Sequence, residues 1–145
     1  MSREIKFRAW YMPFGSKEPK QEMLHRRASS ILSFAEMNPD AYIVEQFTGL
    51  KDKNGKDIYE GDILAWNSSI CRKHNWVGVV LYRGAGFAVQ ESDRSYSSPE
   101  WLECACRKDA NIVEIVGNVH EDKDLLEENW SYELEHIDKP FVHNS

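Results

Sequence analysis

One uninterrupted stretch, residues 42–66, constrains the fold more than any other part of the chain: YIVEQFTGLKDKNGKDIYEGDILAW. Residues 43–47 are rich in β-branched and aromatic side chains, and residues 58–65 form a second apolar run. Between them stand Gly49 and the polar Lys51-Asp52-Lys53-Asn54-Gly55-Lys56. Asn-Gly favours a tight reversal because both residues tolerate positive φ. The segment therefore reads as a hairpin with a long charged tip. Gly49 and Gly61 lie near the inner ends of the two strands, where a bulge or an unusual backbone angle is expected. Alternation through the second strand places Tyr59, Ile63 and Ala65 on one face, and Glu60, Asp62, Leu64 and Trp66 on the other.

The remaining segments extend a β pattern. Residues 3–10 alternate, with Ile5, Phe7 and Ala9 facing one way and Lys6, Arg8 and Trp10 the other, as in a half-buried strand. Residues 12–20 hold Pro13, Gly15 and Pro19 and read as a loop. Residues 29–37 read as a short helix capped by Ser29 or Ser30 and stopped at Asn38-Pro39, with a strand over the same residues as the alternative. Residues 76–82 (WVGVVLY) are apolar on both faces, and Arg83-Gly84-Ala85-Gly86 turns them into residues 87–90 as a second hairpin. Residues 91–99 read as a surface loop and 101–106 as a short strand. Residues 112–119 form a further strand, with Val113, Ile115 and Val119 on one face and Ile112 and Val116 on the other. Short strands joined by glycine-containing turns argue for an all-β barrel. Over 122–134, Leu126, Trp130 and Leu134 recur every four residues among acidic neighbours, the pattern of an amphipathic helix.

The run QFTGLKDKNGKDIYEGDIL resembles the signature segment of the YopX family of phage and prophage proteins. The flanks are similar too: REIKFRAW at residues 3–10 and EIVGNVHE at 114–121, in the same order. The resemblance spans roughly residues 3–126 and is weak over 11–41 and 67–111. It implies a mainly β fold with SH3-like small-barrel character, no established activity and no catalytic residues to carry over. It marks Gly49, Asp52, Asn54, Gly55, Tyr59, Glu60, Gly61, Asp62, Gly117 and Asn118 as signature positions, expected to be structural.

At 145 residues a single domain is expected: an N-terminal segment (1–41), a barrel core (42–121) and an acidic helical tail (122–145). No apolar run approaches the length of a membrane helix, and the N-terminus has no signal-peptide pattern. Three cysteines, Cys71, Cys104 and Cys106, read as free thiols in a reducing bacterial cytoplasm. The net charge of −6 is unevenly spread, with seven Lys/Arg against three Asp/Glu in residues 1–30 and two against eight in 121–145. An acidic total opposes broad nucleic-acid binding, although Arg3, Lys6 and Arg8, joined by Trp66, are candidates for a local binding stripe.

No motif passes its spacing test. Counting Asp52 as first, a calcium loop needs Gly at the sixth position and Glu at the twelfth; Gly55 is fourth and Ile63 twelfth. Glu60 and Asp62 share a strand face and are a candidate acid–base pair, but nothing supplies the pocket that would separate their pKa values. Asp62 bonding backbone at a bulge is the simpler expectation. Cys104-x-Cys106 supplies half a zinc site at most. No nucleotide fingerprint and no nucleophile elbow occurs. No cofactor and no metal are expected. A homo-oligomer is expected, because 76–82 and 112–119 are apolar on both faces and Leu64 and Trp66 add to an outward side. The functional expectation is a non-enzymatic phage or prophage accessory protein acting by binding or self-assembly. A nucleic-acid-binding barrel and a hydrolase using Glu60 and Asp62 are the rivals.

Overall fold

The computed structural model describes residues 4–67, 75–92, 95–107 and 112–127. They divide into two compact units, with the boundary between Phe47 and Thr48. The chain is mainly β, built on two antiparallel sheets, one of them curled into a half-barrel.

In the first unit, β1 (Phe7–Tyr11) lies between β2 (Glu22–His25) and the first residues of β3 (Tyr42–Lys51). The register pairs Ala9 with Leu24 on one side and with Val44 on the other. The expected alternation of β1 is met. Ala9 and Leu24 join Ile31 of α1 (Ala28–Met37) in a small core, flanked by Phe7, Tyr11, Tyr42 and Val44. Arg8 lies on the opposite face, opposite Glu45 in the register, and the two form an ion pair of 2.8 Å with both side chains buried. The loop after β1 is fastened by Gln21, whose amide donates to the Ser16 and Glu18 carbonyls while its Oε1 accepts from Trp10 Nε1. Of the two readings of 29–37, the helix is the one found. It begins earlier than expected, with Arg27 at the N-cap position and no side chain capping it; Asn38 ends it. Residues 22–25 form β2 by pairing antiparallel with β1.

The second unit takes over β3 at Thr48. Its last residues and β4 (Asp57–Tyr59) form the expected hairpin around Asn54-Gly55, where Gly55 has φ +83°. The second strand does not run on as expected. It breaks at Glu60-Gly61, and the chain restarts as β5 (Asp62–Asn67) in the other sheet. That sheet has the order β8-β7-β6-β5-β9, with β6 (Asn75–Arg83), β7 (Gly86–Ser92), β8 (Ser95–Tyr96) and β9 (Glu114–Asn118) all antiparallel. The stretch expected to be a surface loop, 91–99, therefore supplies the end of β7 and all of β8.

Both faces of the sheet are filled at its centre, as the apolar run of 76–82 required. On one face Leu64, Trp66, Val80 and Val89 pack with Ile58, Val113 and two residues of α2 (Pro99–Ala105), Leu102 and Ala105. On the other, Ile63, Val79 and Ala88 are fully buried, and α3 (Asp124–Glu127) packs against β6 with Leu126 inside. Gly78 makes room for this packing. A Cβ there would stand 2.4 Å from Val89 Cγ1 and 3.2 Å from the Trp66 indole.

Three further expectations are overturned. Residues 101–106 belong to a helix, not a strand, because Ser98 accepts a hydrogen bond from Trp101 N–H at its N-cap and Pro99 opens the first turn. Leu64 and Trp66 do not face outward: they are 0% and 9% exposed. In 112–119 only Val113 and Val119 are buried, whereas Ile112 and Val116 are exposed, so that strand is covered on one face. The expected helix of 122–134 is present over Asp124–Glu127; residues 128–134, with Trp130 and Leu134, lie outside the described residues. No helix among the described residues is long and apolar enough to cross a membrane.

Candidate functional site

The signature residues lie at the hairpin tip, at the β4–β5 break and on β9 (Glu114–Asn118), and the side chains of Asp52, Asp62 and Asn118 accept backbone N–H groups. Asp52, in the charged tip, is 4% exposed, and its carboxylate collects three amides. Oδ1 accepts from Asn54 N–H and Lys56 N–H, each at 2.9 Å, which closes the turn. Oδ2 accepts from Ile115 N–H at 3.0 Å, tying the tip to β9. A second tie is Lys53 N–H to the Val113 carbonyl at 2.9 Å. Asn54 and Lys53 meet Glu114 at 3.5 and 3.4 Å, and Lys51 pairs with Asp57 at 2.6 Å. Gly49, at φ +90°, lies beside Thr48, whose hydroxyl donates to the Ile58 carbonyl and accepts from Leu50 N–H. The tip therefore shields part of the outer edge of β9, an edge that would otherwise offer free strand-pairing groups.

The break is held in the same way. Gly61 has φ +85°; its N–H donates to the Val80 carbonyl, and its carbonyl accepts from Val119 N–H. Asp62, 3% exposed, accepts from Tyr59 N–H at 2.8 Å, the backbone role expected of it. Tyr59 is buried, and Glu60 is half-buried in the turn itself. Across the β5–β9 ladder Asp62 lies opposite Asn118 and Ile63 opposite Gly117, so the two distant signature segments meet. Asn118 Oδ1 accepts from His120 N–H and Glu121 N–H, and Asp122 accepts from Asn118 N–H at 3.0 Å. Gly117 is required here, because a Cβ would come within 2.5 Å of that Asp122 carboxylate. Asp122 and the Asp52–Ile115 contact were not foreseen. Asp122 reads in sequence only as an acidic helix start, and no local pattern shows a contact across 63 positions.

This arrangement offers little for acid–base chemistry. Asp52 accepts three backbone N–H groups and Asp62 one, which occupies lone pairs that a general base would use. Among the described residues no group of three or more His, Cys, Asp or Glu is placed to hold a metal ion. The Cys106 thiol, half-buried against the core, is pushed up to about 11, first by burial and then by the neighbouring Asp52 charge. Near pH 8 only about one Cys106 in a thousand is ionised. Mass-mapped alkylation at that pH is therefore expected to modify the exposed Cys104 first, with Cys106 at least about tenfold slower. Equal rates would contradict this environment.

Two of the four candidate stripe residues, Arg8 and Trp66, are buried. Arg8 is buried in its pair with Glu45. Lys6 lies 3.4 Å from Glu4 and 5.1 Å from the Phe47 ring centroid. Trp66 is inside the core, tilted against Trp101 at 5.0 Å, and presents no free ring face to a base. Arg3 lies outside the described residues, as does Cys71. The guanidinium of Arg83 instead covers the Tyr96 ring at 3.9 Å.

A half-barrel in which the signature residues Asp52, Asp62 and Asn118 bond to backbone defines a small β protein of the family type that the motif suggested. The YopX protein family model matches residues 6–127, and the chain belongs to that family. The chain is also similar in fold to the crystal structure of protein EF1440 from Enterococcus faecalis. That likeness has 24% identity and a TM-score of 0.51, over 87% of this chain and 100% of that one. No curated protein matches.

Proposed function

We propose that this protein is a non-enzymatic phage or prophage accessory protein of the bacterial cytoplasm that acts by binding or self-assembly. We take residues 1–145 as one family domain with an SH3-like half-barrel, since the family match crosses both compact units. The observation that carries the reading is the use made of the signature: Asp52, Asp62 and Asn118 accept backbone amides and so act as architecture. The hydrolase reading would need Asp62 available as a base, and Asp62 already accepts the Tyr59 amide. The nucleic-acid reading loses the support of Arg8 and Trp66, both buried, and works against a net charge of −6.

The test has two arms on purified full-length protein. Titration with single-stranded DNA at physiological salt is expected to show no binding tighter than about 10 µM, as an acidic chain should. Elemental analysis of protein purified without chelator is expected to show no stoichiometric metal. Tight DNA binding lost on replacing Arg3 and Lys6 would establish the nucleic-acid reading in its place. Stoichiometric zinc, manganese or calcium would return Glu60, Asp62 and the cysteines to chemistry.

A further inference from the structure

The geometry points to a binding site for a small organic carboxylate that also carries an amide, formed by Arg83, Gln90 and Tyr96 on one face of the five-stranded sheet. The site uses none of the signature residues and stands whether or not the protein self-associates. Cross-strand register sets its members side by side. Gln90 of β7 lies opposite Val79 of β6 on one side and Tyr96 of β8 on the other, so the three share a face. Arg83 is four residues beyond Val79 on β6 and shares that face too. Its guanidinium lies over the Tyr96 ring, 3.9 Å from the centroid. On the intervening strand, Gly86 and Ala88 carry too little side chain to stand in its way.

Two observations on different residues indicate a ligand. Gln90 is 4% exposed, yet neither polar atom of its side-chain amide makes a hydrogen bond among the described residues. Neither atom is wholly enclosed, so the amide lies sunk in the surface with solvent able to reach it. An apolar residue would suit the packing beside Val79 and Ala88 better, because an amide brings two donors and an acceptor oxygen that this fold leaves unmet. Arg83 is exposed and belongs to no ion pair among the described residues. Its contact with Tyr96 nevertheless orders a long side chain. A guanidinium seated on a ring keeps its N–H edges for acceptors beside the ring, and that fork matches a carboxylate. Gln90 then sets what the carboxylate must carry. Its Nε2 donates and its Oε1 accepts, which is the complement of another amide. A bare carboxylate would leave Oε1 without a donor.

Proton–nitrogen correlation spectra of the full-length protein test the site, with N-acetylglycine as the probe at fixed pH and ionic strength. The Gln90 side-chain amide, Arg83 Nε–H and Tyr96 N–H signals are expected to shift together and saturate, with a Kd of about 1 mM. Acetate, which lacks the amide, and N-acetylglycinamide, which lacks the charge, should each bind at least about tenfold more weakly. Arg83→Lys keeps the charge but not the fork and should also lose about tenfold. Gln90→Met keeps the volume but not the amide, and should bind N-acetylglycine no better than wild type binds acetate. The same spectra report whether each variant is folded. Should Gln90→Met fail to fold, the acetate comparison on wild type decides the amide's part alone. Shifts that stay linear up to about 20 mM, equal affinity for acetate and N-acetylglycine, or an affinity unchanged in Arg83→Lys would overturn the proposal.

Discussion

Replacing Asp52 with Ala is expected to lower unfolding stability by about 3–5 kcal/mol, since hydrogen bonds to a charged acceptor contribute about 1.5–3 kcal/mol each and are not fully additive. The carboxylate holds the Asn54 and Lys56 amides of the turn and the Ile115 amide of β9. Alanine leaves three N–H groups without their acceptor and opens a gap beside Cys106. Asp52→Asn separates the two jobs. Its carbonyl oxygen can still close the turn, but the amide nitrogen then faces Ile115 N–H, donor against donor. It should cost about half as much, all of it at the tie to β9. Urea denaturation of the two variants beside wild type reads both numbers. A loss under about 1 kcal/mol for Asp52→Ala would mean the tip is a solvated loop after all.

Glu45→Ala is expected to cost about 3–5 kcal/mol, because it removes the carboxylate that pairs with the buried Arg8 guanidinium. Both side chains of the pair are under a tenth exposed, and they lie opposite each other in the β1–β3 register. Removing one partner of a buried pair is far more damaging than removing an exposed one, where about 0–1 kcal/mol is usual. Thermal unfolding of Glu45→Ala and Arg8→Ala checks it. Losses below about 1 kcal/mol for both would show that Arg8 is wet and reopen it as a binding residue.

The difference between a legible and an illegible feature is the range over which its cause acts. The hairpin at Asn54-Gly55, the alternation of β1 and the doubly covered β6 each follow from neighbours a few positions away, and each is found. The helix over 99–105 was legible as well, in Ser98-Pro99-Glu100, a cap followed by proline and an acid in the first turn. The aromatic and apolar content of 101–106 outweighed that signal. The break at Gly61 could not be read from alternation. It depends on partners at Val80 and Val119, and the residues on either side of it are apolar at strand spacing. The burial of Trp66, Arg8 and Asp52 had the same origin. Each looks like a surface residue until a distant segment supplies Trp101, Glu45 or Ile115.

The signature carboxylates of Asp52 and Asp62 are bound to the chain's own backbone. Amide hydrogen exchange of wild-type protein, resolved at Tyr59, Ile115 and Asn118, tests it most directly. Those amides donate to Asp62, Asp52 and Asp122. Exchange slowed at least about 1,000-fold relative to an unstructured peptide is expected at all three, as for amides that open only with their surrounding strands. Exchange at near-peptide rates at Tyr59 and Ile115 would show Asp62 and Asp52 free of the backbone and available for chemistry, and would contradict it.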